Sequence, residues 1–177
     1  MNFRDFTDIS LSGRMAYEIC CTEDSIICLG ENPNDWAYVF ECLWDFTSLK
    51  DLDRWEELAS EIIPDCLTEF KDYDRHEFEF MPKDTFEFLY NLYTNTKNYE
   101  IINKLINKVY NLGISHSHSV IIGYGQASLN CIKDFLDFLS KNGLPIISTA
   151  NFLQYSISEQ EGWGKPIDGR KLSRIIK

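Results

Sequence analysis

The stretch 99–112, YEIINKLINKVYNL, carries the clearest structural pattern in the chain. Its apolar residues recur at intervals of three and four, which places them on one broad face of an α-helix. These residues are Ile101, Ile102, Leu105, Ile106, Val109, Tyr110 and Leu112. Gly113 follows directly and is expected at the C′ position that ends the helix. The stretch therefore predicts an amphipathic helix packed on a core.

The same helical spacing recurs on both sides of this stretch, in segments 11–21, 32–47, 51–63, 82–96 and 127–141. The polar run 22–25 is expected to end the first of these helices. Two short runs are candidates for strands: 73–80, for which an extended loop is the alternative, and 119–123, for which the alternative is a buried start of the next helix. No repeat or Gly/Ser-rich linker divides the 177 residues. The sequence therefore predicts a mostly α, single-domain helical bundle-like fold over residues 1–177, with at most a minor pair of short strands.

Charge is divided unevenly along the chain. Residues 1–100 contain 23 Asp and Glu against 8 Lys and Arg, whereas residues 101–177 contain 5 against 9. The formal net charge is −11. A field of this sign repels nucleic acid and anionic membrane surfaces and attracts basic proteins. The composition is thus compatible with a basic partner, although an acidic surface that serves only solubility has the same signature.

The N-terminal sequence MNFRDFTDIS lacks the basic and apolar regions of a signal peptide, and no apolar run is long enough to span a membrane. The expected location is therefore the cytoplasm. The six cysteines have no C-x-x-C spacing and no histidine at zinc-ligand distance. In a reducing compartment such thiols are expected to be free, and mostly buried and structural.

Motifs for catalysis are weak. His116 and His118 are two residues apart, but a zinc site usually needs three or four protein ligands. Gly123 and Gly125 form half of a glycine-rich phosphate loop, whose remaining glycine and lysine are missing. No enzyme signature emerges, so the sequence predicts no catalytic residue, no metal and no cofactor.

The segment 65–87 combines eight carboxylates with several aromatic residues outside a clear helical stripe. Exposed aromatic residues often anchor protein interfaces, and carboxylates around them attract Lys and Arg. Segments between helices also tend to lie on the surface. We therefore expect a partner-binding surface here. Its residues are Asp72, Tyr73, Asp74, Glu77, Phe78 and Glu79.

The chain resembles immunity proteins of bacterial contact-dependent inhibition and other polymorphic toxin systems. The resemblance rests on its length, on its acidic first hundred residues and on the segment 32–46, NPNDWAYVFECLWDF. The resemblance lies in general character and transfers no individual residue. It implies a helical cytoplasmic inhibitor, not an enzyme, that binds a toxin domain, often a basic nuclease. Two other readings stay open: an enzyme without a recognisable motif and an acidic adaptor without an inhibitory role. The oligomeric state is not predicted.

Overall fold

The computed structural model of the chain describes residues 3–117 and 119–176. Seven α-helices and several short 3-10 turns lie in these ranges, which confirms the prediction of a mostly α single domain. In chain order they are α1 Leu11–Cys28, α2 Ala37–Asp45, α3 Leu52–Glu61, α4 Pro64–Thr68, α5 Lys83–Asn95, α6 Tyr99–Ile114 and α7 Gln126–Lys141.

Helix α1 is the central element of the fold. It packs against α2, α6 and α7, and nearly all of its side chains are buried. The helix begins at Ser10, whose side-chain oxygen accepts a hydrogen bond from the backbone N–H of Gly13 at 3.3 Å. Three of its buried side chains, Arg14, Glu18 and Thr22, are polar and follow one another at helical spacing of four. A polar row thus runs through the middle of the core.

Two expected helix ends are wrong. Helix α1 continues through the polar run 22–25 to Cys28, because the buried carboxylate of Glu23 accepts hydrogen bonds from Trp44 and from Ser173. Gly113 lies inside α6 and not beyond its end. A Cβ atom at this position would collide with the Trp55 ring, so glycine is needed for close packing of α3 on α6.

Neither candidate strand forms. Residues 73–80 and 119–123 adopt turns and irregular backbone. Within the described ranges, the only β-type pairing is an isolated antiparallel bridge between Ile9 and Ser156. The hydrogen bonds that a strand pair would have supplied come instead from local turns and from buried side chains.

The segment 142–176 contains short 3-10 turns and crosses α1 and the end of α2. The backbone N–H groups of Ser10 and Ser12 donate to the carbonyls of Tyr155 and Trp163. Thr47 exchanges hydrogen bonds with Ile167, and Arg174 forms an ion pair with Asp24 at 2.7 Å. This segment closes the core over the N-terminal helix.

No helix in the described ranges combines the length and apolar character needed to cross a membrane.

Candidate functional site

The predicted binding residues lie on an irregular loop, 71–81, which we call the acidic loop. It connects α4 to α5 and contains a turn at residues 74–78, where the carbonyl of Asp74 accepts from the backbone N–H groups of Glu77 and Phe78. The Asp74 carboxylate also accepts from the backbone N–H of His76 at 2.9 Å. The loop is therefore a defined turn.

Aromatic packing fixes the acidic loop from beneath. Phe78 is only 3% exposed, and its ring centroid lies 5.1 Å from that of Phe70 and 4.8 Å from that of Phe86. The half-buried Tyr73 stacks on Phe78 and donates its hydroxyl to the Phe78 carbonyl at 3.3 Å. Such clusters combine area burial with favourable ring contacts.

A buried carboxylate holds the other end of the loop. Glu61, at the end of α3, accepts a hydrogen bond from the backbone N–H of Phe80 at 3.1 Å. Burial raises the pKa of Glu61, while this backbone donor favours the ionised form. The acidic loop is thus tied to α3 as well as to α5.

The predicted binding residues divide into two groups. Asp72, Asp74, Glu77 and Glu79 are exposed, and none forms an ion pair with any described residue. The other two are part of the supporting aromatic cluster: Tyr73 is half-buried and Phe78 is buried. Phe78 therefore cannot contact a partner in this conformation, and its role is to shape the loop that presents the carboxylates.

A second surface was not predicted from the sequence. Residues 119–125, which we call the apolar loop, precede α7 and expose Val120, Ile122 and Tyr124 by 68%, 84% and 60%. Ile121 between them is buried and packs on Gly162. The sequence indicated a strand or a buried helix start here. Its run of β-branched residues followed by two closely spaced glycines was the available signal for an exposed turn.

The apolar loop is held from inside by a fully buried arginine. The Arg14 guanidinium donates to the carbonyls of Phe6 and Tyr124, both at 2.7 Å, and to that of Gly125 at 3.3 Å. It also donates to the Ser128 hydroxyl at 2.6 Å. No carboxylate among the described residues pairs with it. Burial lowers the Arg14 pKa to about 10, so the side chain stays charged at neutral pH.

His116 belongs to this buried cluster. Its Nε2 atom lies 3.2 Å from the Ser128 hydroxyl. Burial and the nearby Arg14 charge lower the His116 pKa, which favours the neutral ring at pH 7. His118, the other half of the pair, lies outside the described residues. Among the described residues, no group of three or more His, Cys, Asp or Glu could hold a metal ion.

Glu18 is the least satisfied polar group of the core. Both of its carboxylate oxygens, and the hydroxyl of Thr22 one turn later, are buried without a hydrogen-bond partner among the described residues. Burial raises the pKa of Glu18 well above its ordinary range, against the opposing charge of Lys108. The neutral acid is therefore favoured, since an ion without a partner is costly in the core.

All six cysteines are free, as expected, but they are not all buried. Cys21 and Cys42 are buried, whereas Cys28 and Cys66 are exposed. Burial raises the pKa of Cys21 to about 12 and that of Cys131 to about 11. These two thiols therefore remain protonated at neutral pH and are weak nucleophiles.

Two surfaces thus stand out, an acidic loop and an apolar loop, each fixed by buried contacts. Comparison with other proteins adds no relative: no protein-family model matches the chain, and no curated protein or solved structure is significantly similar to it.

Proposed function

We propose that this chain is a cytoplasmic binding protein that neutralises a basic partner protein, in the manner of an immunity protein bound to its toxin domain. One observation carries the proposal. Four carboxylates project from the acidic loop with no ion pair to any described residue, while the loop itself is fixed by Phe78 and Glu61.

Exposed carboxylates without ion pairs contribute little to the stability of the fold, but they attract cationic partners. A surface ion pair contributes only about 0–1 kcal/mol to folding, so leaving these groups unpaired costs the fold little. Opposite charges on two proteins can raise the association rate from roughly 10⁵–10⁶ to about 10⁸–10⁹ M⁻¹s⁻¹ at low salt. An inhibitor of a lethal enzyme benefits from such speed.

Fixed geometry adds to this advantage. A loop that is already in one conformation loses less entropy when it binds than a mobile loop would. The groove between the acidic loop and α5 has a volume of about 250 Å³, and its charged lining residues are Asp72, Glu87, Lys71 and Lys83. Lys83 forms an ion pair with Glu87 at 3.5 Å, so the charges of this groove are balanced, and the cations of a partner are expected to meet the outward carboxylates of the loop instead.

The test uses a toxin domain encoded beside the gene for this chain. Co-expression is expected to restore growth, and the purified pair is expected to form a complex. The variant Asp72→Asn/Asp74→Asn/Glu77→Gln/Glu79→Gln should associate at least tenfold more slowly at low salt and lose most of the salt dependence of its rate.

The matched control removes the same number of charges from exposed sites elsewhere: Glu100→Gln/Asp134→Asn/Asp137→Asn/Glu161→Gln. It should retain most of the wild-type rate, because steering depends on charge close to the contact. Equal slowing by both variants would reject the acidic loop as the contact surface. Failure of every adjacent toxin domain to bind would reject the function itself.

A further inference from the structure

The apolar loop borders a cavity of about 340 Å³ between α3 and the end of α6. Val120 forms one wall, and the rings of Trp55 and Trp163 form others. Ile122 and Tyr124 stand outside the cavity on the same loop and are largely exposed. Exposed apolar side chains that lie side by side at a cavity mouth are typical of a site that another protein covers.

Carboxylates surround the cavity on the α3 side. Asp53 and Glu56 line it, and with Glu57 they also line a neighbouring surface groove of about 470 Å³. Glu56 accepts a hydrogen bond from Ser117 at 2.9 Å, and none of the three forms an ion pair with a described residue. An apolar centre is therefore bordered by uncompensated negative charge.

Contacts within the chain fix the conformation of the apolar loop in the absence of a partner. Arg14 holds the carbonyls of Tyr124 and Gly125, and the N–H of Gly125 closes a turn on the Ile122 carbonyl at 3.2 Å. Ile121 is packed beneath on Gly162, which lacks the Cβ atom that would collide with it. These contacts keep the neighbouring apolar side chains directed outward, so binding does not have to order them.

We propose that the apolar loop, the cavity and the α3 carboxylates form a docking site for a protein segment in which an apolar side chain is flanked by Lys or Arg. The apolar side chain fills the cavity beside Val120, and the flanking cations reach Asp53, Glu56 and Glu57. This inference rests on the proposed function in one respect, that the partner is a basic protein.

Charge decides between this occupant and a second copy of the chain. Each copy has a formal net charge of −11, so two copies repel each other, and in a symmetric dimer through this face the α3 carboxylates of one copy would meet those of the other. A basic segment instead neutralises those carboxylates while its apolar residue covers the exposed loop. Interfaces commonly combine such a desolvated apolar centre with a charged rim.

The test uses random dodecapeptides displayed on phage and selected on the immobilised full chain, so it does not need the toxin. Enriched peptides are expected to carry an apolar residue within two positions of Lys or Arg. Their dissociation constants, measured by fluorescence anisotropy, should rise at least tenfold for Val120→Ser/Ile122→Ser and for Asp53→Asn/Glu56→Gln/Glu57→Gln.

Ile146→Ser/Leu153→Ser is the control, because it removes two exposed apolar side chains far along the chain from this loop. It should change the dissociation constants less than twofold. Circular dichroism and sedimentation of each variant accompany the binding data. The proposal is overturned by a lack of enrichment, by peptides that bind the loop variants as tightly as wild type, or by a dimer that the loop variants dissociate. Loss of toxin neutralisation with intact peptide binding would count against the proposed function alone.

Discussion

The acidic loop and the apolar loop are built in opposite ways. The acidic loop has apolar anchors inside and charges outside: Phe78 is buried in an aromatic cluster while the four carboxylates face solvent. The apolar loop has a charge inside and apolar side chains outside, since Arg14 binds its carbonyls and Ile122 is 84% exposed. The central anchor of the acidic loop is therefore an aromatic ring, with the Glu61 hydrogen bond beside it, and that of the apolar loop is a hydrogen-bonded guanidinium, with Ile121 packed beside it.

This difference predicts how the stability of each loop responds when its inner anchor is removed. Loss of the Phe78 ring affects every neighbour in the aromatic cluster, whereas loss of the guanidinium removes one hydrogen-bond donor from a few particular carbonyls. Variants of the two anchors should therefore separate global from local destabilisation.

The largest effect is expected for Phe78→Ala. Removing a buried phenyl ring should lower the free energy of unfolding by about 3–5 kcal/mol. Urea denaturation followed by circular dichroism measures it. Phe88→Ala is the matched control, because Phe88 is 47% exposed on the neighbouring helix α5, and its loss should stay within about 0.5 kcal/mol. A loss of less than about 1 kcal/mol for Phe78→Ala would show that the ring is not an anchor.

The next effect is expected for Arg14→Ala, at roughly 3 kcal/mol, since an unsatisfied buried carbonyl costs about 1–3 kcal/mol and the lost side chain also leaves a cavity. The Phe6 and Gly125 carbonyls keep the backbone N–H groups of Ile9 and Leu129 as donors, so the Tyr124 carbonyl is the one most affected. Hydrogen exchange should increase at the amides of Gly125 and Leu129, which close the turn and begin α7. The amides of Glu77 and Phe78 in the acidic loop should change less. Arg54→Ala, at an exposed position, is the control. Uniform acceleration of exchange in both loops would contradict the distinction between them.

The smallest effect concerns the pH dependence of the free energy of unfolding. It has opposite signs for His116, beneath the apolar loop, and for Glu61, which binds the acidic loop. The His116 pKa is lowered from its ordinary 6.5, so the unfolded chain binds the proton more tightly and stability falls as pH drops below about 6.5. The Glu61 pKa is raised above its ordinary value of 4.5, so the folded chain binds this proton more tightly than the unfolded chain does. The resulting stabilisation is fully present below pH 4.5 and is lost as pH rises through the folded-state pKa.

His116→Asn should therefore flatten the decline in stability below pH 6.5, and Glu61→Gln should flatten the change above pH 4.5. Urea midpoints collected across pH 4–8 measure both curves. His76→Asn, in which an exposed histidine of the acidic loop is removed, serves as the control for His116. A His116→Asn curve parallel to wild type would contradict the assignment.

The helices were largely predictable because their stripes are local. The apolar residues of 99–112 and 127–141 face the core as their spacing indicated, and helices cover both stretches. The end of α1 was not predictable, since Glu23 is satisfied by residues some 150 positions away. A polar run looks like a helix end until those distant donors are known.

The candidate sites were predictable in part. The four carboxylates were correctly placed on a surface segment, but alternation could not show that Phe78 points inward, because its ring partners come from other elements. The apolar loop was missed for the converse reason. Val120 and Ile122 have the composition of core residues, and only the turn fixed by Arg14 exposes them.

The contacts of residues 155–174 also determine when the fold can be completed during synthesis. Helix α1 obtains hydrogen bonds for Ser10, Ser12 and Glu23 from that segment. A ribosome adds about 5–20 residues per second, so α1 waits on the order of ten seconds for these contacts after it has been made. During that interval helix α1 lacks the contacts with residues 155–174 that it has in the folded chain. The core around α1 therefore closes only after residues 155–174 have been made.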